Sequence, residues 1–183
     1  DVYKRQGYVY SGGGGGRIAV YYGALGNGFD LTTQVSATGG GVANASATYA
    51  RNGGAGTIYT KMGTEPGALR VDNGTLDINT SAQTELGGTG VTLDALTFSN
   101  ANLSLADGTI LTSFTGTGVM TAVGALNANA DMVVDGWTFV SNAPQTWTNL
   151  TVIGGGVVTT DRGNTLDLTV TDTVTVEEGS RID

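Results

Sequence analysis

The sequence predicts an all-β chain, and within that class a right-handed, single-stranded parallel β-helix with coils of about 27 residues over its C-terminal two thirds. Three observations carry this expectation. Apolar residues alternate along short stretches, as at Leu96/Phe98 and Leu103/Leu105, so one parity of side chain faces inward. The same spacing returns 27 residues to either side. Leu69, Val71, Leu76 and Ile78 precede it; Val123, Ala125, Ala130 and Met132 follow, then Leu150, Val152, Val157 and Thr159. Leu93, Met120, Trp147 and Val174 form a fifth column, and 19 of these 20 positions are apolar in a chain that is 39% apolar. Finally, 31 Gly, abundant Thr and only 2 Pro favour strands and tight turns over helices, and no amphipathic helix is evident. An antiparallel sandwich would also alternate, but gives no reason for a fixed period.

The elements follow in order. Asp1-Val-Tyr-Lys-Arg-Gln6 resembles a translated sequencing-adaptor scar, which would place residues 1–6 outside the fold and imply a cut gene. Residues 7–62 are Gly- and Tyr-rich and are expected to form irregular β-coils. Two Gly-rich runs, Gly12–Gly16 and Gly53–Gly56, each feed a β-branched or aromatic strand, Arg17–Tyr22 and Thr57–Lys61. Neither has the Gly-Lys-Ser/Thr of a phosphate loop, so the first run reads as a tight turn packed where Cβ atoms would clash. Phe29, Leu31 and Val35 supply one more strand between the copies. Gly26-Asn-Gly-Phe-Asp30 resembles part of a calcium-binding nonapeptide, but that chemistry needs consecutive copies and Thr32 departs from the pattern.

Gly63–Gly67, with Pro66, reads as a joint. Residues 63–183 are then the regular acidic coils of what is expected to be one continuous solenoid. Asp72-Asn-Gly-Thr75 and Ser99-Asn-Ala-Asn102 supply the corners between strands. Asp94, Thr121, Thr148 and Thr175 form an outward column, and Glu177–Asp183 stops in mid-motif. Handedness rests on the general preference of parallel crossovers. Open strand edges at both ends predict end-to-end self-association of the isolated fragment.

Composition excludes several functions. The chain has no Cys and no His, which removes disulfides, thiolate metal sites, imidazole bases and nucleophilic triads. No metal or cofactor site is expected. The net charge of −8 is unevenly placed: residues 1–62 hold five basic and two acidic groups, residues 63–183 three basic and fourteen acidic. No Lys or Arg occurs between Arg70 and Arg162, so nucleic acid and anionic lipid are rejected as partners of the acidic part. No apolar run approaches the ~20 residues of a helical membrane span.

The residues also carry a family resemblance. The Gly run with Arg17-Ile-Ala-Val-Tyr-Tyr22, then Gly54-Ala-Gly-Thr-Ile-Tyr59 and Leu69-Arg-Val-Asp-Asn73, resembles large secreted bacterial repeat proteins. Leu168-Thr-Val-Thr-Asp-Thr-Val-Thr-Val-Glu-Glu-Gly-Ser180 is similar to autotransporter-like β-helix passenger regions. The resemblance implies an extracellular or bacterial cell-surface stalk or adhesive passenger, and no catalytic residue carries over from it.

The competing class is a non-catalytic or partial segment of a carbohydrate-active, pectin-lyase-like β-helix protein whose catalytic coils lie elsewhere. If the 27-residue register holds, Asp77/Asp131 and Asp107/Asp161 each stand two coils apart, ~9.6 Å. A hydrolase could use such a pair, but an acidic solenoid generates them by coincidence, so no catalysis is expected. Trp147 falls in an inward column, and Trp137 is undecided between core and surface. Contacts with glycans or surface proteins are expected in residues 7–62, where Tyr10, Tyr21, Tyr22, Tyr49 and Tyr59 accompany Arg17, Arg51 and Lys61. Tyr and Arg supply large contact area at limited entropic cost.

Overall fold

A computed structural model describes residues 12–42, 51–78, 81–87, 92–111, 113–128 and 131–183. Residues 1–6, Tyr10, Tyr49 and Ala130 lie outside these. The chain is all-β. Its elements in order are β1 (Arg17–Tyr22), a single helical turn α1 (Leu31–Gln34), β2 (Thr57–Met62), β3 (Ala68–Asp72), β4 (Thr84–Leu86) and β5 (Thr92–Leu93). There follow β6 (Ala95–Leu105), β7 (Ile110–Leu111), β8 (Phe114–Ala122), β9 (Asn127–Ala128) and β10 (Asp131–Asp135). The chain ends with β11 (Thr138–Ser141), β12 (Gln145–Ile153), β13 (Val157–Thr159), β14 (Leu168–Val176) and β15 (Arg181–Ile182).

These strands make three sheets. The largest has nine strands in the order β1-β2-β3-β6-β8-β11-β13-β15, with β4 also on β6. The others are β10-β12-β14 and β5-β7-β9. Every pairing is parallel except β2 with β3. Parallel pairing sets like positions side by side, so inward residues stack in columns. One column runs Leu103, Met120, Phe139 and Val158, all fully buried. Met132 beside Leu150 and Val134 beside Val152 form the facing wall, and both walls belong to one apolar core. Trp137 is core: its ring meets Phe98, Phe114 and Phe139 edge-on at 5.3, 5.9 and 6.2 Å. Trp147 is buried beside Phe139, as its inward position requires.

The 27-residue period does not survive. Only β3 and β6 keep it, setting Leu69 beside Leu96 and Val71 beside Phe98. From β4 to β13 the step between partners is 17 to 19 residues, as in Leu103 to Met120 and Met120 to Phe139. The last step lengthens to 23 or 24. The physical reason for the false period is that 27 is one and a half steps of 18. Leu105 therefore leads to Met132 on the opposite wall and then to Thr159 back on the first. Leu105 and Met132 are both buried but face each other across the core, while Thr159 pairs with Val140, beside the inward Phe139–Val158 column. The misfit shows elsewhere: Val123 and Val174 are 56% and 52% exposed, Thr121 is buried, and Leu76 and Ile78 belong to no strand.

The corners also differ in kind. Asp72–Thr75 is a turn as expected, with Gly74 at φ 60° and its N–H donated to Asp72 Oδ1 at 2.8 Å. Ser99–Asn102 is no separate turn but a bend inside β6. Asn100 takes φ 46° and switches the inward parity from Leu96/Phe98 to Ala101/Leu103/Leu105. Asn tolerates the left-handed region better than other non-Gly residues. Its amide group also ties the bend to the carbonyls of Gly74 and Leu76.

The N-terminal part reverses direction. Gly63–Gly67 is a hairpin connection, with Gly63 at φ 51° and Glu65 N–H on Met62 O at 2.9 Å, so β1 and β2 run opposite to β3. The expected strand around Phe29–Val35 is replaced by α1. Asp30 caps it, accepting from Thr32 N at 2.8 Å, Thr32 Oγ1 at 2.6 Å and Thr33 Oγ1 at 2.9 Å. Local Asp–Thr capping outweighs β-propensity where no neighbouring strand is available. Arg70 fastens this excursion through the carbonyls of Leu31, Thr32 and Val35.

The columns predict a paired outcome. Leu103→Ala should lower stability by about 2–5 kcal/mol through cavity formation. Val133→Ala, on a side chain 46% exposed, should cost about 0.5 kcal/mol or less. Thermal melts of the two variants check this, and equal shifts would refute the register.

Candidate functional site

Four of the eight proposed contact residues come together. Alternation along β1 and its register on β2 set Arg17, Tyr21, Tyr59 and Lys61 on one face. Tyr21 and Tyr59 approach to 5.8 Å between ring centroids, tilted 58°, and Tyr21 is 71% exposed. Tyr59 stands opposite Leu69, which lies beside Leu96, so this ledge continues the core-facing side of the sheet past the end of the core. The remaining residues do not join it. Tyr22 points to the other face with half-buried Ile18 and Val20. Arg51 is exposed on the Gly-rich segment, and Tyr10 and Tyr49 lie outside the described residues.

The Gly runs build a second feature, and it is not a turn. Segments 12–16, 37–41 and 53–56 lie side by side. Gly12 N donates to Arg51 O and Gly15 N to Gly54 O, both at 2.9 Å. Gly40 N donates to Gly13 O at 2.7 Å, Gly53 N to Gly40 O at 2.8 Å and Gly56 N to Ala37 O at 2.6 Å. Contacts recur every third residue (Gly12/Gly15, Ala37/Gly40, Gly53/Gly56), the repeat of an extended backbone with three residues per turn. None of these glycines has a left-handed φ. Gly12, Gly15, Gly39, Gly53 and Gly56 are Gly because the backbones touch: a Cβ on Gly12, Gly53 or Gly56 would fall 1.7, 1.9 or 2.0 Å from a carbonyl oxygen, whereas one on Gly13 or Gly16 would meet nothing within 4 Å. Buried Asn73 ties the bundle to the strands, accepting from Gly39 N at 3.0 Å and donating to Gly53 O at 3.3 Å.

Between this bundle and the Ala82–Glu85 segment runs a groove of about 330 Å³. Arg17 and Glu85 also border a second hollow of about 360 Å³, which Ser104 and Asp107 line. No motif marks Glu85 and Asp107 as neighbours of Arg17 around this hollow, because strand pairing assembles them.

The Asp pairs drawn from the 27-residue register are dissolved. Asp131 lies on β10 and accepts from Asn149 Nδ2 at 2.6 Å, while Asp77 lies in the loop after β3. Asp161 accepts from Asn142 Nδ2 at 2.7 Å, and Asp107 sits against Gly124. Asp30, from the calcium-like stretch, spends both carboxylate oxygens on its cap. The Thr32 side-chain hydrogen bond, then the Thr32 amide, hold its pKa below the ordinary 3.8.

Comparison of the chain with protein-family models, curated proteins and solved structures found no match.

Two outcomes are expected. Gly53→Ala should destabilise by about 1–3 kcal/mol or more by overpacking, whereas Gly14→Ala, with its nearest neighbour atom at 4.0 Å, should be tolerated; differential melting distinguishes them. A depressed folded pKa makes the Asp30 cap stabilising above the unfolded value and loses it as pH falls through the folded one. The Thr32 amide resonance should therefore titrate with a midpoint below 3.8, and Asp30→Ala should abolish that titration.

Proposed function

We propose that the chain is a segment of right-handed, single-stranded parallel β-helix acting as a structural or adhesive part, a stalk or passenger, of a secreted or cell-surface bacterial protein. The observation that carries the reading is the buried column Leu103–Met120–Phe139–Val158, built by parallel strands at near-constant steps. Such a column stiffens a rod along its axis, because each strand is bonded to the one before and the one after. Lateral polar ladders support the same role on the outside. Asn149 bridges Asp131 and the Thr173 N–H, and Asn142 bridges Asp161 and Asn164. Glycans or surface proteins are the partners that suit the Tyr21/Tyr59 ledge, with Arg17 and Lys61 supplying charge at its rim.

A carbohydrate-active role is the second reading, favoured by Arg17, Glu85 and Asp107 lining one hollow. One experiment separates the two. The full chain is probed on a glycan array and assayed for release of reducing or unsaturated sugar ends from acidic polysaccharides. The adhesive reading expects retention that Tyr21→Ala weakens about tenfold or more, with no sugar release. Turnover abolished by Glu85→Gln and Arg17→Gln would establish the enzyme instead.

A further inference from the structure

We propose that Asn27 is a site of spontaneous deamidation through a cyclic succinimide, and that the fold leaves this step reactive while protecting its two sequence equivalents. Asn is followed by Gly at three places, Asn27-Gly28, Asn52-Gly53 and Asn73-Gly74. The reaction begins when the backbone nitrogen of the following residue attacks the Asn carboxamide carbon. A following Gly has no Cβ to obstruct that approach. Every other Asn in the chain precedes Ala, Leu or Thr.

Two of the three steps are held at both reacting groups. Asn52 is 7% exposed. Its carboxamide oxygen accepts from Val42 N at 3.1 Å, and the Gly53 N–H is donated to Gly40 O at 2.8 Å. Asn73 is 1% exposed. Its carboxamide accepts from Gly39 N and donates to Gly53 O and Ser81 Oγ, while the Gly74 N–H is donated to Asp72 Oδ1 at 2.8 Å. Asn27 is the opposite case. It lies in the exposed turn that Phe29 N closes on Gly26 O at 3.1 Å. Neither its carboxamide nor the Gly28 N–H has a hydrogen-bond partner among the described residues. A Cβ at Gly28 would meet nothing within 4 Å, so the space around the attacking nitrogen is open.

The reaction needs only water. Hydroxide takes the Gly28 amide proton as the nitrogen bonds to Asn27 Cγ. The Cγ–Nδ2 bond then breaks, and ammonia leaves with a proton from water, which restores the hydroxide. Water opens the ring at either carbonyl to give an aspartate or an isoaspartate, and nothing is oxidised or reduced. Either product lowers the net charge of residues 12–62 from +2, set by Arg17, Arg51 and Lys61 against Asp30, to +1. The isoaspartate also adds a methylene to the backbone inside the turn that leads to the Asp30 cap.

The test incubates the full chain at mildly alkaline pH in water enriched in heavy oxygen, both folded and in denaturing urea, and follows its peptides by mass spectrometry. In the folded chain the Asn27 peptide should gain the acid mass and the label at least about tenfold faster than the Asn52 and Asn73 peptides. That protection corresponds to about 1.4 kcal/mol of local opening. In urea the three rates should converge. Asn27→Gln, which must close a larger ring, should abolish the change at that position and leave the melting temperature unaltered. An Asn27 peptide that keeps its amide as long as the other two overturns the proposal. Rates that stay apart in urea also overturn it, because the difference would then lie in the neighbouring side chains and not in the fold.

Discussion

Parallel backbone pairing between strands 17 to 19 residues apart is the constraint from which the rest of the fold follows. Strands in register lie ~4.8 Å apart, close enough that each inward side chain rests on its predecessor. The ladder fixes which positions stack but not how the chain gets from one strand to the next. The connections can therefore vary in length without disturbing the columns. Gln145 shows how a variable connection is held. Fully buried, it accepts from Leu126 N at 3.0 Å and donates to Gly124 O at 3.0 Å and Ala143 O at 3.2 Å. A polar residue in an apolar interior is tolerated because it satisfies turn groups that would otherwise be buried unpaired.

That latitude explains what could be read in the sequence. Inward parity depends on neighbours two residues apart, so Leu96, Phe98, Leu103, Leu105, Trp147 and Leu150 were all legible as core. The step depends on loops, which carry little pattern, and successive steps of 19, 17 and 19 do not reinforce one another in a periodicity search. The spurious 27 reinforced itself because it crosses from wall to wall. The bend at Asn100 compounded the error, since a parity switch within one continuous strand looks like two strands with a turn between them.

The Gly bundle was half legible. Close packing could be inferred from runs of Gly, because few other reasons exist for omitting every Cβ. That three segments met, one of them around Ala37–Gly41, could not, since the third-residue spacing holds only between particular pairs. Asn73 is informative here. It lies in the turn after β3, where Asn-Gly reads as turn chemistry and nothing more, yet its side chain reaches Gly39, Gly53 and Ser81. A single amide with both donor and acceptor can join backbones that have no side chains of their own.

The candidate site arises where these two constructions meet. Over β1 and β2 the sheet is covered on the side opposite to the core, with Arg70 holding the α1 excursion near Ile58, which is 2% exposed. Register requires this inversion. Ile58 pairs with Arg70 and Tyr59 with Leu69, so burying Ile58 beneath the excursion leaves Tyr59 on the core side, where the stack has ended. An aromatic residue with a polar tip suits such a position, because its ring covers apolar surface while its hydroxyl remains able to meet water. Tyr59 lies over Gly67, whose missing Cβ would stand only 2.0 Å from the Tyr59 hydroxyl, and Tyr21 extends the covering outward. Tyr21 and Tyr59 thus have a structural cause before they have a binding one. The sheet needs end-covering residues there, and the cover that solves the packing problem is also the surface best suited to contact a partner.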